Sequence, residues 1–197
     1  MKRVVLFSTF LTGKQTKILL KLIFPFDLDN KILAYMPGDG SNIKEKYVEG
    51  WQGFAKNYDS QFNLINNSKK DSKEEISKVL NSNILVITGG NTFKLLHNLR
   101  KSGLDKAIQE FIKKDNFVLS GFSAGAIVLT PTIDVCNLPD YDINDVDLKD
   151  LNGLDIIDFE VFPHYSDKYK KDLEKYRDMA KHEVKEIADE DYVVLEL

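Results

Sequence analysis

Five short runs of aliphatic and β-branched residues, Arg3–Ser8, Lys31–Met36, Gln61–Ile65, Asn83–Thr88 and Asn116–Gly121, alternate with longer stretches of helical period. That alternation is the pattern of a parallel sheet covered by helices on both faces, so the expected class is α/β. Weaker strand signals lie near Thr132–Cys136, Phe159–Phe162 and Tyr192–Glu196. Beyond Asp167, the residues Tyr169, Leu173, Tyr176, Ala180, Val184 and Ile187 recur at spacings of three and four. This predicts a single long amphipathic helix whose aromatic and aliphatic stripe belongs to the core.

A chain of 197 residues with 43% hydrophobic and 29% charged residues can bury one sizeable core. With no internal repeat and no Pro/Gly linker, a single domain spanning 1–197 is expected. The net charge is −4, and basic residues are interleaved with acidic ones. Neither nucleic acid nor an anionic membrane is favoured as a partner. Cys136 is the sole cysteine, which rules out an intrachain disulfide and fits a reducing, cytoplasmic compartment. The apolar start of the chain is soon interrupted by Ser8, Thr9, Thr12, Gly13 and Lys14, so it reads as a first strand and not a signal peptide. No apolar run approaches the roughly 20 residues needed to span a bilayer.

In an α/β sheet, ligands bind at the carboxyl ends of the strands, and two strand-end loops stand out. One reads Ser120-Gly121-Phe122-Ser123-Ala124-Gly125-Ala126, a G-x-S-x-G strand-to-helix turn. Such a turn forces its serine into a strained, exposed conformation, and the helix that follows offers free N–H groups to a developing oxyanion. Ser123 is therefore a candidate nucleophile and the Ala124 N–H a candidate oxyanion donor. The same residues would also serve an ordinary N-cap at a βα turn. The other loop reads Thr88-Gly89-Gly90-Asn91-Thr92, where two glycines let backbone amides face a ligand and supply a second donor. Asn91 is expected to cap the following helix and is a candidate substrate contact.

A serine nucleophile needs a base, and the chain has three histidines. His97 lies among Leu95, Leu96 and Leu99 of a predicted helix, and His182 lies in the charged C-terminal helical stretch. His164 follows a predicted strand and Pro163, so it alone is expected in a strand-end loop. The third group, which would orient the imidazole, is open at this point: Asp134, Asp140 and Asp142 lie between Ser123 and His164, and Glu196 ends the last strand.

Residues 137–153 are rich in Asp and Asn and poor in period, as expected of a long surface excursion bordering a site. As a calcium loop that segment fails, because Asp145 stands where glycine is needed and Leu151 where the bidentate acid belongs. Gly13-Lys14 lacks the upstream glycine of a P-loop, and Gly38-Asp39-Gly40 reads as a turn. No metal, nucleotide or other cofactor is expected.

Taken in order, Gly89-Gly90-Asn91-Thr92-Phe93, Gly121-Phe122-Ser123-Ala124-Gly125-Ala126 and Pro163-His164-Tyr165 resemble the peptidase E (aspartyl dipeptidase) family. Pro131-Thr132-Ile133 adds to a likeness that covers nearly the whole chain. That family is related to cyanophycinases and to class I glutamine amidotransferases. The resemblance implies a flavodoxin-like three-layer α/β/α sandwich and a serine peptidase acting on a small peptide or amide. It also implies Ser123 as nucleophile, His164 as base, and Gly90 and Ala124 as oxyanion donors. It places the third member just past the last strand, where Glu196 is the nearest match. An older assignment, 15 residues after the serine, falls on Leu138 (123 + 15 = 138), with Asp140 as the nearby acid. The family's substrate-binding arginine segment corresponds to Leu173-Glu174-Lys175-Tyr176-Arg177, leaving Arg177 as the candidate cation. The alternative reading is a non-catalytic binding or regulatory module of the same fold.

Overall fold

A computed structural model describes residues 1–9, 14–38, 45–70 and 72–197, apart from the Lys14 side chain. The turn expected at Gly38-Asp39-Gly40 therefore lies, beyond Gly38, outside the described residues. Strands β1 (Lys2–Phe7), β2 (Ile32–Met36), β3 (Gln61–Leu64), β4 (Ile84–Ile87), β5 (Phe117–Phe122) and β8 (Tyr192–Glu196) form one sheet in the order β3-β2-β4-β5-β1-β8. The first five are parallel, and β8 closes the edge antiparallel to β1. The five strong strand signals all correspond to observed strands.

Alternation within β1 shows how the layers form. Val4 and Leu6 face a core shared with α3 (Lys73–Asn81), α4 (Thr92–Ser102) and α5 (Leu104–Phe111), contributing Val79, Leu96 and Ile108 among others. Val5 and Phe7 face the opposite core, with Leu19 and Ile23 of α1 (Lys14–Ile23) and Trp51 of α2 (Glu45–Asn57). Successive strand residues point to opposite faces, so a strand apolar at every position must be covered twice. The result is the three-layer α/β/α arrangement. Among the described residues no helix is long and apolar enough to cross a membrane.

A second, two-stranded sheet pairs β6 (Glu160–Pro163) with β7 (Val184–Ile187) in parallel, joined through α7 (Lys170–Arg177). Here the structure corrects the sequence reading. The expected long helix ends at Arg177, and Val184 and Ile187 lie in a strand, each opposite a residue of β6. The stripe is nonetheless core: Leu173, Val184 and Ile187 are buried, with Tyr169, Tyr176 and Ala180 packed against them. Spacing by three and four fits a helix, but pairing with β6 satisfies the backbone of two β-branched residues and prevails. Arg177 fixes the break by donating to the Val184 carbonyl at 3.1 Å and pairing with Glu186 at 2.7 Å.

The strand expected near Thr132–Cys136 is also absent. A single bridge links Thr132 to Asn152, and Asp134–Asn137 forms a 3₁₀ turn. The Thr132 hydroxyl accepts from the Asp134 N–H at 3.1 Å, a local bond that competes with a strand ladder.

Candidate active site

The register brings the two singled-out loops side by side. Gly121 of β5 lies opposite Ile87 of β4 and Leu6 of β1, so the chain leaves β4 and β5 at neighbouring points of the carboxyl edge. Between β5 and the one-turn helix α6 (Ala124–Ile127), Ser123 takes φ 52° and ψ −126°. A non-glycine residue in such a region stores roughly 1–3 kcal/mol of strain, held by the surroundings. Three bonds hold it here: Ser123 N–H donates to the Phe7 carbonyl at 3.0 Å, and the Ser123 carbonyl accepts from Ala126 at 2.8 Å and Ile127 at 3.2 Å.

The flanking glycines are there for closeness. A Cβ on Gly121 would lie 2.4 Å from the Gly125 carbonyl oxygen, and one on Gly125 would lie 2.1 Å from that of Ile87. Gly125→Ala should accordingly cost about 3 kcal/mol or more of stability, since backbone on both sides must part to admit the methyl. A thermal melt within two degrees of wild type would contradict this close packing. The Gly89 backbone borders the serine: a Cβ there would come within 3.2 Å of Ser123 Oγ. Ala124 begins α6, so its N–H has no acceptor one turn back within the helix.

His164 comes from the other sheet. It follows β6 with φ 56°, and its Nε2 lies 2.9 Å from Ser123 Oγ. Its Nδ1 lies 2.7 Å from Asp189 Oδ1. Asp189 follows β7, whose Ile187 pairs with Pro163, so the two parallel strands deliver imidazole and carboxylate from neighbouring carboxyl ends. A carboxylate accepting Nδ1–H leaves the Nε2 lone pair for the serine proton, the polarity that general-base removal requires. The imidazole is 39% exposed and Asp189 60% exposed, so their pairing is partly screened by solvent.

Ser8, just past β1, ties these parts together. Its fully buried hydroxyl accepts the His164 N–H at 2.9 Å and donates to the Ile187 carbonyl. Phe7 and Ser8 thus hold the backbone at Ser123, at His164 and two residues before Asp189. Ser8→Ala leaves the part-buried His164 N–H without that partner, at about 1–3 kcal/mol, while the Ile187 carbonyl keeps the Tyr165 N–H at 3.3 Å. It is expected to lower kcat by about tenfold with KM little changed, because the imidazole loosens while substrate contacts stay. Wild-type kcat in a folded Ser8→Ala variant would show that this anchor is dispensable.

The 137–153 segment reaches the site through two adjacent residues. The partly buried Tyr141 phenol, which desolvation holds far above its usual pKa, donates to the Pro163 carbonyl at 3.1 Å just before His164. Asp142 accepts from the Thr92 N–H at 2.7 Å and from Asn91 Nδ2 at 2.8 Å, at the start of α4. Asn91 caps α4 through Lys94 N–H at 2.9 Å and also donates to the Ile143 carbonyl at 2.7 Å. Its amide thus joins the cap of α4 to the loop that follows Asp142.

Other expected residues stand elsewhere. Glu196 pairs with Arg3 at 2.6 Å across the β1–β8 edge, because β8 turns its carboxylate toward the first strand and away from His164. Asp140 is exposed, in a left-handed turn at φ 59°, and Asp134 is exposed beyond Thr132; Asp189 occupies the place beside the imidazole. Arg177 is held by Glu186 and the Val184 carbonyl. His97 lies on α4 as expected, whereas His182 lies between α7 and β7 and not in a helix. Asp189, Ser8 and Tyr141 had not been singled out. An acid just after the β-branched pair Val184 and Ile187 was the available signal for Asp189, hidden by the helical spacing.

The family model described as peptidase family S51 matches residues 5–196. An uncharacterized peptidase of Listeria monocytogenes is 28% identical over 152 residues, 76% of this chain and 73% of its own. Peptidase E of Escherichia coli is 31% identical over 93 residues, 47% of this chain and 38% of its own. A crystal structure of a candidate peptidase E protein from Listeria monocytogenes superimposes with a TM-score of 0.76 at 25% identity, covering 100% of this chain and 99% of that one. With its sheet, its serine turn and its match along almost the full length, the chain belongs to peptidase family S51, a family of serine peptidases.

Proposed function

We propose that the chain hydrolyses a small peptide or amide by acyl transfer, with Ser123 as nucleophile, His164 as general base and acid, and Asp189 as the orienting carboxylate. The observation that carries this reading is the continuous line from Ser123 Oγ to His164 Nε2 at 2.9 Å and from His164 Nδ1 to Asp189 at 2.7 Å. In the first half-reaction, His164 Nε2 takes the Ser123 proton as Oγ bonds to the scissile carbonyl carbon. The oxyanion is received by the amides of Ala124, the residue after the nucleophile, and of Gly90, the residue after the Gly89 backbone that borders Ser123 Oγ. The imidazolium, steadied by Asp189, then gives its proton to the leaving amine as the C–N bond breaks. Water enters, His164 takes its proton as the water oxygen bonds to the acyl carbon, and the imidazolium returns that proton to Ser123 Oγ as the acyl–Oγ bond breaks and the carboxylic acid leaves. No step calls for a cofactor.

Strict specificity for an N-terminal aspartate is not part of the proposal. An aspartyl side chain needs a cation to hold it, and Arg177 is already neutralised by Glu186. A module without turnover would need no acid beside the histidine, and the Asp189 carboxylate at 2.7 Å from His164 Nδ1 weighs against that alternative. Activated esters test the chemistry without knowledge of the substrate. 4-Nitrophenyl acetate should give a burst of nitrophenol equal to the enzyme concentration, which His164→Ala removes. Steady release without a burst, equal in both proteins, would speak for the non-catalytic module.

A further inference from the structure

At the first residue of β6, four positions before His164, Glu160 is fully buried. With a rise of roughly 3.3 Å per residue, its backbone lies about 13 Å from that of the catalytic histidine, at the other end of the strand. Its Oε2 accepts the Tyr176 phenol, and Oε1 has no partner among the described residues. Glu160 lies in the wall of a cavity of about 600 Å³, together with Asp134, His182, Leu138 and Met179. Burial raises the pKa of Glu160, the Tyr176 hydrogen bond and His182 oppose it, and Asp134 adds a smaller upward push.

A buried carboxyl with one unpartnered oxygen lacks a donor, and the donor that best relieves it carries positive charge. Lysines 175 and 181 also line the cavity but are exposed, and Lys175 is engaged by Asp172 at 3.8 Å, so neither supplies that donor to Glu160. An anionic ligand would meet the unpartnered oxygen unfavourably. Leu138, Met179 and the ring of Tyr176 offer apolar wall for a short stem. We propose that this cavity is a second ligand site, separate from Ser123, for a primary amine on an apolar stem. Its ammonium would bond to Glu160 and face Asp134. The Tyr176 phenol would keep the other oxygen of Glu160 satisfied while the ammonium takes Oε1.

Hexylamine, hexan-1-ol and hexanoate, titrated separately into the full-length protein, test the site. Binding is followed by the methyl resonances of the three methionines, of which Met179 is exposed at the cavity and Met36 is buried in β2. The expected result is saturable binding of hexylamine that shifts the Met179 methyl, with hexanol and hexanoate at least about tenfold weaker. Glu160→Gln keeps the size of the side chain and should weaken hexylamine about tenfold or more while leaving hexanol unchanged. Equal affinity for the three compounds, unaltered hexylamine binding in Glu160→Gln, no hexylamine binding, or shifts at His164 instead of Met179 would each overturn the proposal. Should Glu160→Gln fail to fold, Asp134→Asn, at an exposed position, serves instead. It should selectively weaken hexylamine, and unchanged affinity would likewise overturn the proposal.

Discussion

Replacing Ser123 by alanine is expected to lower kcat/KM for any amide or ester the protein turns over by about ten-thousandfold or more, with the fold intact. The reaction as drawn needs an oxygen that can form and break a bond to the acyl carbon, and among the described residues Ser123 Oγ is the hydroxyl bonded to His164 Nε2. The strain at φ 52° sharpens the expectation. Alanine accepts the same backbone with the same Cβ, so the bonds to Phe7, Ala126 and Ile127 remain and stability should change little. A melt close to wild type alongside lost turnover is the expected pair of results. Loss of both would mean that the serine serves the turn more than the chemistry.

Asp189→Asn is expected to lower kcat by about a thousandfold or less, with KM nearly constant, because a carboxamide no longer fixes the tautomer or steadies the imidazolium. The loss should be smaller than for a buried triad acid. Asp189 is 60% exposed, and water can take over part of its work. For the same reason the His164–Asp189 contact should contribute about 1 kcal/mol or less to folding, so the variant should melt near wild type. Glu196→Gln and Asp140→Asn are the controls, and both should keep wild-type kcat. Loss of activity on changing Glu196, with Asp189→Asn unaffected, would mean that the chain end and not the β7 turn completes the site.

The contrast between Asp189 and Ser123 shows where the sequence was informative. Strands β1, β2, β4 and β5 are buried on both faces, so their apolar runs read plainly and fix the loops that follow them. Ser123 was legible because glycine at both flanking positions is a packing requirement written into the chain, visible in the contacts Gly121 and Gly125 make. His164 was legible because there are few histidines to weigh and it alone follows a strand and a proline. Asp189 was not, because Val184 and Ile187 continue the spacing of α7, and only pairing with β6 shows that they form a strand. Read as helix, the segment has no strand end, and an acid there has no reason to be chosen. Glu196 was preferred for its place at a strand end, but an antiparallel edge strand runs the other way and hands that carboxylate to Arg3. Ser8 shows a further limit: a serine after a buried strand is unremarkable until a second sheet brings two backbone partners to it.

Labelling with a fluorophosphonate probes the activated serine directly and needs no substrate. The account predicts one covalent adduct per chain, located by peptide mass spectrometry on the segment containing Ser123. It should be absent from Ser123→Ala and strongly slowed in His164→Ala. An unlabelled wild type, or equal labelling of Ser123→Ala, would contradict the account.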